Sequence, residues 1–369
     1  MQCDEGDKTF PQFEMNSEYA LFSDPTRQLE LDISHLDWDR ELAKLGGHPW
    51  QSAHWDNAEH VAHGVKSHRL LLRCGGETVQ MVRVEQRMVG GVCKLAWIRH
   101  GPTGRKPDAG SIRIEPEISQ WLSDHGFCLV VASPWKREVE QKANRTSRKA
   151  QPRTIWIDLS VGRDQLWQNL NKTWRAHVRR AQRHGVVVET TRDSELIAEY
   201  FALCSHIGRV KGFEVRTSVD LIEQLINTCH TESVETKLFI AKCEGQIASG
   251  ALVARCGKSI HYMGGASNRD FARQKPGEAL HWAIVEWGLA KKCTRYDLEG
   301  IDPAGNPGVY AFKKKMGGEE VTLVGRHVSA LNLTGRLLAP LAVGFLSSPI
   351  GPLASVAKAL LGSTFRPAR

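Results

Sequence analysis

A lysine run beside a glycine-rich stretch is the first feature of this sequence that could do chemistry. Residues 300–318 read GIDPAGNPGVYAFKKKMGG, in which Gly300 and Gly308 mark a Gly/Pro loop and Lys313 is the first of three lysines. Asp297 precedes the loop in RYDLEG, a predicted strand. Ligands of α/β folds bind at strand ends, and glycine lets a backbone approach them closely. We therefore predict a ligand-binding loop here, although Asp297 could instead cap or bridge a neighbouring loop.

A helix with a basic face is the second candidate. Five apolar residues within 164–186 fall three or four apart and predict one helix with a buried face: Trp167, Leu170, Trp174, Val178 and Ala181. Like charges at this spacing repel by roughly a few tenths of a kcal/mol per pair. The helix nevertheless carries a basic stripe, which predicts contact with phosphates of RNA, a nucleotide-linked sugar or a lipid headgroup. A merely solvated basic face is the alternative. The stripe consists of Lys172, Arg175, Arg179 and Arg183.

The third candidate is the segment RQKPGEAL, residues 273–280, which leads into a predicted helix. Gln274, Gly277 and Ala279 fit a Q/R-x-x-G-x-G/A pattern, by which acetyltransferase-like folds hold a pyrophosphate on backbone N–H groups at a helix N-terminus. An ordinary loop-to-helix junction started by Pro276 would use the same residues. Both interpretations stay open.

Composition narrows the classes of function. The chain has 369 residues, enough for two domains, and its net charge of +8 favours an anionic partner. The 9 cysteines are odd in number and lack metal-ligand spacing, so we expect no metal site and reduced thiols in a cytoplasmic protein. The acidic N-terminus does not resemble a secretory signal. Motifs of serine hydrolases, P-loop NTPases, zinc proteases and dinucleotide dehydrogenases are absent from the sequence.

The elements that must position these residues follow one plan twice. Residues 68–102 alternate apolar and polar side chains and predict an antiparallel meander, followed by a helix at 113–125 and a strand at 127–133. Residues 236–267 repeat the meander, followed by a helix at 276–292 and a strand at 295–300. Two similar α/β units are the predicted architecture.

The predicted boundaries follow changes of composition. A polar lead-in covers 1–30, the first unit covers 31–150 and ends in a basic linker at 136–150, and the second unit covers 151–330. The tail, 331–369, has no charge between Arg336 and Lys358, but three prolines interrupt it. We therefore expect a helical tail that packs on protein or in a membrane interface rather than spanning the bilayer.

Three segments in this order resemble the Fem-type (FemX-like) aminoacyltransferases that build peptidoglycan bridges. They are the strand and basic helix at 154–189, the strand–helix–strand at 262–301 and the GVYAFKKKMGG element that ends the stretch 300–319. HPWQSAHW (48–55) and WIRHGP (97–102) are weaker matches in the first unit. The resemblance implies two tandem GNAT-like domains, each with a mixed, largely antiparallel sheet flanked by helices.

The resemblance also implies a reaction and its residues. The donor would be aminoacyl-tRNA, the acceptor an amine on an anionic nucleotide- or lipid-linked cell-wall precursor, and no cofactor would be needed. Lys313 would stabilise the oxyanion or bind the donor's terminal phosphate. Phe312 would pack behind it or stack on the terminal adenine, and Tyr310 and Asp297 would complete the catalytic group. Arg209 and Arg216 would face the acceptor's phosphates. The location would be cytoplasmic, with peripheral attachment to the inner face of the membrane through the tail.

Some departures from the family keep two alternatives open. Met316 stands where the family has an aromatic residue before Gly-Gly, and 190–236 is too short for the long helical arm of some members. An acyl-CoA-dependent GNAT-type N-acyltransferase of polysaccharide or secondary metabolism would use the segment at 273–280. A non-catalytic membrane-associated binding protein would use the basic helix and the tail.

Overall fold

The first sheet is built mainly from the N-terminal part of the chain. The computed structural model describes residues 26–89, 93–104, 113–138, 151–212, 215, 217–228 and 231–347. Six strands come first: β1 (Arg27–Glu30), β2 (Ser67–Cys74), β3 (Glu77–Val89), β4 (Cys93–His100), β5 (Thr103–Gly104) and β6 (Phe127–Pro134). They pair in the order β1-β2-β3-β4-β6, with β5 on β3.

The second sheet follows in sequence. Its strands are β7 (Arg153–Asp158), β8 (Val187–Thr191), β9 (Val234–Cys243), β10 (Gln246–Cys256), β11 (Ser259–Ser267), β12 (Arg295–Asp297) and β13 (Glu319–Thr322). They pair in the order β13-β7-β12-β11-β10-β9-β8. A last strand, β14 (His327–Ala330), returns to the first sheet and pairs with β6.

Ten helices of the described residues cover the two sheets. They are α1 (His35–Lys44), α2 (Ala53–His63), α3 (Pro116–Asp124), α4 (Arg163–Asn169), α5 (Lys172–Arg183), α6 (Ser194–Lys211), α7 (Val219–Asn227), α8 (Pro276–Ala290), α9 (Pro307–Lys314) and α10 (Leu333–Ser347). Helix α8 is apolar on most sides because it packs in the core of the second unit, where Leu280, Ile284 and Val285 are buried.

The repeated plan predicted from the sequence is confirmed. Strands β2-β3-β4, helix α3 and strand β6 follow the same path as β9-β10-β11, α8 and β12. In both units the strand after the helix pairs in parallel with the strand before it. The two pairs differ in length. β4 pairs with β6 from Lys94 to His100, whereas β11 pairs with β12 only from Ser259 to His261. The second sheet is therefore open beyond His261.

The boundaries of the two sheets differ from the boundaries of the predicted units. Residues 27–30, predicted to lie in the lead-in, form β1, and β14 places 327–330 in the first sheet rather than in the second unit. In the predicted linker, Arg137 forms an isolated bridge with Leu323 and an ion pair with Glu319. Residues 1–25, 139–150 and 348–369 lie outside the described part of the chain, as does the Gly90-Gly91 turn.

The single helix predicted at 164–186 is wrong, because the chain breaks between α4 and α5. Leu170 has extended backbone angles, and the Asn171 side chain accepts a hydrogen bond from the N–H of Thr173 as the N-cap of α5. The guanidinium of Arg175 donates to the carbonyls of Gln168 and Leu170 at 2.7 and 2.6 Å. These hydrogen bonds satisfy the free carbonyls at the end of α4. Four of the five apolar residues still pack in one core, and the fifth, Ala181, is buried as well.

Candidate functional site

The opening between β11 and β12 is the centre of the candidate site. Tyr262 to Ser267 of β11 continue past the last residue paired with β12, and the N-terminus of α8 and helix α9 lie at this opening. A parallel pair of strands that separates leaves backbone groups and side chains accessible between its ends. Such crevices at strand ends are where open α/β sheets bind ligands.

Lys313 is buried at this opening. Its side chain belongs to α9 and is 5% exposed, and its ammonium donates to the carbonyls of Gly300 at 2.9 Å and Glu299 at 3.3 Å. The ammonium lies 5.5 Å from the ring centre of Tyr262. Burial lowers the pKa of Lys313 to about 8, although Glu299 and Asp297 act in the opposite direction. A fixed ammonium with a pKa near neutrality can stabilise negative charge or donate a proton.

Helix α9 corrects the predicted loop. The Gly/Pro stretch was expected to be a surface loop, but Pro307 starts a helix, and Gly308 is exposed in its first turn. Phe312 of this helix packs at 6.0 Å from Trp174 and 5.3 Å from His281, measured between ring centres. The partly buried ring therefore packs against the core of the second unit.

Asp297 is fully buried and does not face an open cleft. Its carboxylate accepts hydrogen bonds from the indole N–H groups of Trp135 and Trp156, each at 2.6 Å, and from the hydroxyl of Thr154. It also accepts from the backbone N–H of Glu299 at 2.8 Å. Burial, followed by Glu299, raises the pKa of Asp297 to about 7. These hydrogen bonds give Asp297 a positioning role in the turn whose carbonyls hold Lys313.

Tyr310 faces a different group. Its hydroxyl donates to Glu320 at 2.7 Å, and Lys314 forms an ion pair with the same carboxylate at 2.5 Å. Tyr310 and Lys314 therefore contact Glu320 of β13, whereas the ammonium of Lys313 donates to the carbonyl of Gly300. Sequence alone did not show that Tyr310 and Lys313 face different partners, because they share one helix.

The segment predicted as a pyrophosphate loop begins α8. Lys275 has a positive φ of 63° at the N-cap, and Gly277 and Ala279 lie in the first turn. The ring of Phe312 lies 3.7 Å from where a Cβ of Gly277 would stand. Glu278, also in this turn, accepts a hydrogen bond from His177 of α5 at 2.7 Å. Gln274 has a buried side-chain oxygen without a hydrogen-bond partner among the described residues.

The four residues of the basic stripe on α5 differ in their exposure and contacts. Lys172, Arg179 and Arg183 are exposed, and the guanidinium of Arg179 stacks over Trp167 at 5.5 Å. Arg175 is partly buried by its bonds to the end of α4 and holds the helix pair together. Arg209 is exposed in the last turn of α6, and Arg216 lies outside the described residues.

A cluster that sequence reasoning missed lies where the units meet. Glu299, with a φ of 59°, accepts hydrogen bonds from His48 at 2.9 Å and His261 at 2.8 Å. His48 stacks on His100 at 4.2 Å between ring centres. These residues are far apart in sequence, so their spacing carried no signal. His48 and His100 do fall in the two first-unit segments that resemble the Fem family.

The same three side chains satisfy a distance criterion for a metal site, since the ligand atoms of His48, His261 and Glu299 lie within 4.8 Å of one another. The hydrogen bonds favour another interpretation. The backbone N–H of Trp50 donates to Nδ1 of His48 at 3.2 Å, so Nε2 of His48 carries the proton and donates it to Glu299. A metal would need the lone pair of that nitrogen. The set fits a hydrogen-bonded cluster better than a metal site.

Comparisons with known proteins agree with this fold. Residues 168–314 match the family model of the acetyltransferase (GNAT) domain. The crystal structure of FemX is similar with a TM-score of 0.70 at 16% sequence identity, covering 85% of this chain and 99% of FemX. The chain has a tandem GNAT-like fold.

A second solved structure shares the tandem GNAT-like fold. It is the C-terminal domain of an Agrobacterium fabrum protein described as a putative lysylphosphatidylglycerol synthetase. The TM-score is 0.50 at 13% identity, covering 85% of this chain and 98% of that domain. No curated protein sequence matches this chain. Among the described residues, every helix is too short or too polar to serve as a transmembrane span.

Proposed function

We propose that this protein is a Fem-type acyltransferase, which transfers an aminoacyl group from aminoacyl-tRNA to an amine of a cell-wall or related cell-envelope precursor. The observation that carries the proposal is the buried ammonium of Lys313, held by two carbonyls at the opening of the second sheet. Aminolysis of an ester needs positioning and charge stabilisation more than covalent catalysis. Lys313 supplies a fixed positive charge for that purpose.

The proposed reaction gives Lys313 a defined task. The acceptor nitrogen forms a bond to the ester carbonyl carbon, and the bond from that carbon to the ribose oxygen of the tRNA breaks. The nitrogen loses a proton, and the leaving oxygen gains one. The ammonium of Lys313 stabilises the oxyanion formed between these steps. With a pKa of about 8, it can also donate the proton to the leaving oxygen.

The first turn of α8 favours tRNA over acyl-CoA as the donor. In acetyltransferase-like folds a pyrophosphate lies on the N–H groups of this turn. Here a ring atom of Phe312 lies 3.7 Å from where a Cβ of Gly277 would stand, beside the turn, and the carboxylate of Glu278 lies in the same turn. Like charge and reduced access both weaken pyrophosphate binding. An acyl-CoA-dependent N-acyltransferase remains the alternative, favoured by the backbone pattern of Lys275 and Gly277.

The phosphates of the substrates have candidate partners on the surface. Lys172, Arg179 and Arg183 are exposed on α5 and are proposed to contact the tRNA backbone. Arg209 and Arg216 are proposed to face the phosphates of the acceptor. We also propose a peripheral membrane contact through α10, because Leu333 and Leu337 lie one turn apart and are 74% and 79% exposed. Co-sedimentation of the full chain with anionic vesicles, against a Leu333→Ser/Leu337→Ser variant, tests that contact.

A transfer assay tests the proposed function. The protein is incubated with total tRNA charged with labelled amino acids, together with lipid-linked and nucleotide-linked cell-wall precursors. We expect one label to move to an acceptor amine. A parallel assay with acetyl-CoA measures both thermal stabilisation and release of free CoA. Release of CoA with every label retained on tRNA would overturn the tRNA proposal in favour of the alternative. Vesicle binding without transfer from either donor would favour the non-catalytic binding protein.

A further inference from the structure

Glu299 takes part in two separate sets of contacts, one through its side chain and one through its backbone. Its carboxylate accepts hydrogen bonds from Nε2 of His48 at 2.9 Å and from Nδ1 of His261 at 2.8 Å. Its backbone carbonyl accepts one from the ammonium of Lys313 at 3.3 Å, and the next carbonyl, that of Gly300, accepts another at 2.9 Å. Glu299 therefore lies between the histidines where the two units meet and the ammonium of the proposed reaction.

The backbone of Glu299 has a conformation that the surrounding contacts must hold. Its φ is 59°, in the left-handed region that residues other than glycine rarely adopt. Such a conformation persists where neighbouring contacts fix it. Here the backbone N–H of Glu299 donates to the carboxylate of Asp297 at 2.8 Å, and the two histidines hold the side chain. The successive carbonyls of Glu299 and Gly300 both reach one ammonium, whereas in an extended strand successive carbonyls point in opposite directions.

The two histidines are neutral donors in fixed positions. The side chain of each is 1% exposed, and burial lowers the pKa of His48 well below its usual value and that of His261 to about 3. Each ring therefore donates one N–H to the carboxylate without carrying a positive charge. His48 is held in turn by the backbone N–H of Trp50, which donates to its Nδ1, and by stacking on His100. The carboxylate of Glu299 is thus held in place, and neither histidine cancels its charge.

The charge of Glu299 matters for Lys313, because the ammonium is buried. Burial lowers the pKa of Lys313, and Glu299 opposes this effect more strongly than Asp297 does. Two further side chains that face the ammonium are uncharged at pH 7. The ring of Tyr262 lies 5.5 Å away, and burial, followed by the charge of Lys313, lowers the pKa of His281 of α8 to about 3. Glu299 therefore both places the carbonyls that bind the ammonium and helps the ammonium to keep its proton.

We infer that Glu299 is a positioning residue for Lys313, and that His48 of the first unit acts on the ammonium through Glu299. The inference rests on the proposed function, because it concerns the group that stabilises the oxyanion in that reaction. The first unit then does more than support the second sheet, since the N–H of His48 helps to keep two carbonyls of the second unit directed at the ammonium. His261 of β11 supplies the other donor from within the second sheet.

Competitive acetylation of the full chain with trace acetic anhydride tests the inference without any substrate. The yield at Lys313, located by tandem mass spectrometry, is measured from about pH 6 to about pH 10 and gives the pKa of its amine. Glu299→Gln keeps an oxygen that accepts from both histidines but removes the charge. We expect the pKa of Lys313 to fall by at least about half a pH unit in this variant. Lys314 is the internal control, because its ion pair with Glu320 is left intact.

Two amide variants of His48 test its part separately. In His48→Gln the amide N–H replaces the donor at Nε2, whereas in His48→Asn the shorter amide ends near the position of Nδ1 and does not reach Glu299. We expect His48→Asn to lower the kcat of aminoacyl transfer about tenfold, with the KM for aminoacyl-tRNA within about twofold of the wild-type value. His48→Gln should restore most of the kcat. His54→Asn is the matched control, because His54 is a buried histidine of the same segment that contacts the carbonyl of Leu225 at 3.0 Å instead.

An unchanged pKa of Lys313 in Glu299→Gln overturns the inference, whether or not transfer is observed. If that variant does not fold, as judged by circular dichroism, Glu299→Gly carries the same test, because glycine adopts this φ without strain. Equal losses of kcat in His48→Asn and His48→Gln, or in His48→Asn and His54→Asn, overturn the role of His48.

Failure of the proposed function gives a different result. A lowered pKa of Lys313 in Glu299→Gln, together with no transfer from aminoacyl-tRNA, supports positioning by Glu299 and contradicts the proposed reaction. The role of His48 is then decided by acetylation of His48→Asn. A released carboxylate changes its distance from the ammonium, so an unchanged pKa of Lys313 in this variant overturns that role.

Discussion

The two units share one plan but differ at the helix that follows the meander. In the second unit the helix begins with Lys275, Pro276 and Gly277 beside an open sheet. In the first unit α3 begins beside Glu115 and Glu117, and both carboxylates bind Arg27 of β1. Carboxylates at a helix N-terminus satisfy its dipole internally. Both helix N-termini carry carboxylates, but those of α3 are paired with Arg27, whereas Glu278 of α8 accepts a hydrogen bond from His177.

The two sheets also differ in how far their strands remain paired and in what is buried beside them. The first sheet stays paired along the whole of β4 and is braced by the buried guanidinium of Arg83, which binds Glu59, Glu85 and Asp56. The second sheet opens after His261 and holds a buried lysine at the opening. We therefore propose that the first unit serves as a support and that the second presents the site. Four predictions test this division.

The largest expected effect is that of removing the Lys313 ammonium. Lys313→Ala should lower the rate of transfer by about 10²–10³-fold, because a preorganised charge at the oxyanion is removed. Single-turnover transfer from labelled aminoacyl-tRNA measures the rate, and circular dichroism confirms the fold. Lys314→Ala is the matched control and should change the rate by less than about twofold, since its partner Glu320 lies on the surface side. A fully active Lys313→Ala variant would show that the catalytic centre does not lie at Lys313 in the second unit.

The pH dependence of transfer should report the same lysine. The pKa of Lys313 is lowered to about 8, so the ammonium is lost above that pH. The rate that depends on it should then fall about tenfold per pH unit. Arginine keeps its charge in this range, so the ratio of wild-type to Lys313→Arg rates should decrease above pH 8. A ratio that is constant from about pH 7 to about pH 9.5 would contradict the role of the ammonium.

The contact between the units should matter less for chemistry and more for stability. Trp135 follows the first sheet and donates to Asp297 of the second at 2.6 Å. Trp135→Phe should lower the free energy of unfolding by about 1.5–3 kcal/mol, because a buried hydrogen bond to a carboxylate is removed. Urea titration measures this change. Trp121→Phe is the control, because the ring of Trp121 stacks on the exposed His125, and it should lower the free energy of unfolding by less. An equal loss of stability in both variants would show that the hydrogen bond between Trp135 and Asp297 does not couple the two units.

The smallest effect is expected on the surface of α5. Neutralising Arg179 and Arg183 together to Gln should weaken tRNA binding and reduce the salt slope of the affinity by roughly 0.7–0.9 for each phosphate that is no longer neutralised. Filter binding at several salt concentrations measures both. Arg163→Gln on α4 serves as the control, because its guanidinium is engaged by Glu286. An unchanged slope would leave the stripe as a solvated face.

Much of the fold could be predicted from the residues, because meanders and helices are encoded by local periodicity. The prediction was wrong where distant partners decide. The break before Asn171 depends on Arg175 reaching back to α4, and β14 is a short strand whose partner, β6, lies far earlier in the chain. The start of α9 was readable from Pro307, yet the density of glycine around it favoured a loop.

The candidate site was partly predictable in the same sense. The sequence by itself determined the repeated units, the basic face of α5 and the motif that singled out Lys313 from its neighbours. Tertiary structure alone decided that Lys313 is buried with a lowered pKa, and that Asp297 is enclosed by two indoles. It also brought His48 and His261 to one carboxylate. The physical reason is desolvation, since burial and electrostatic surroundings come from chain segments that are far apart in sequence.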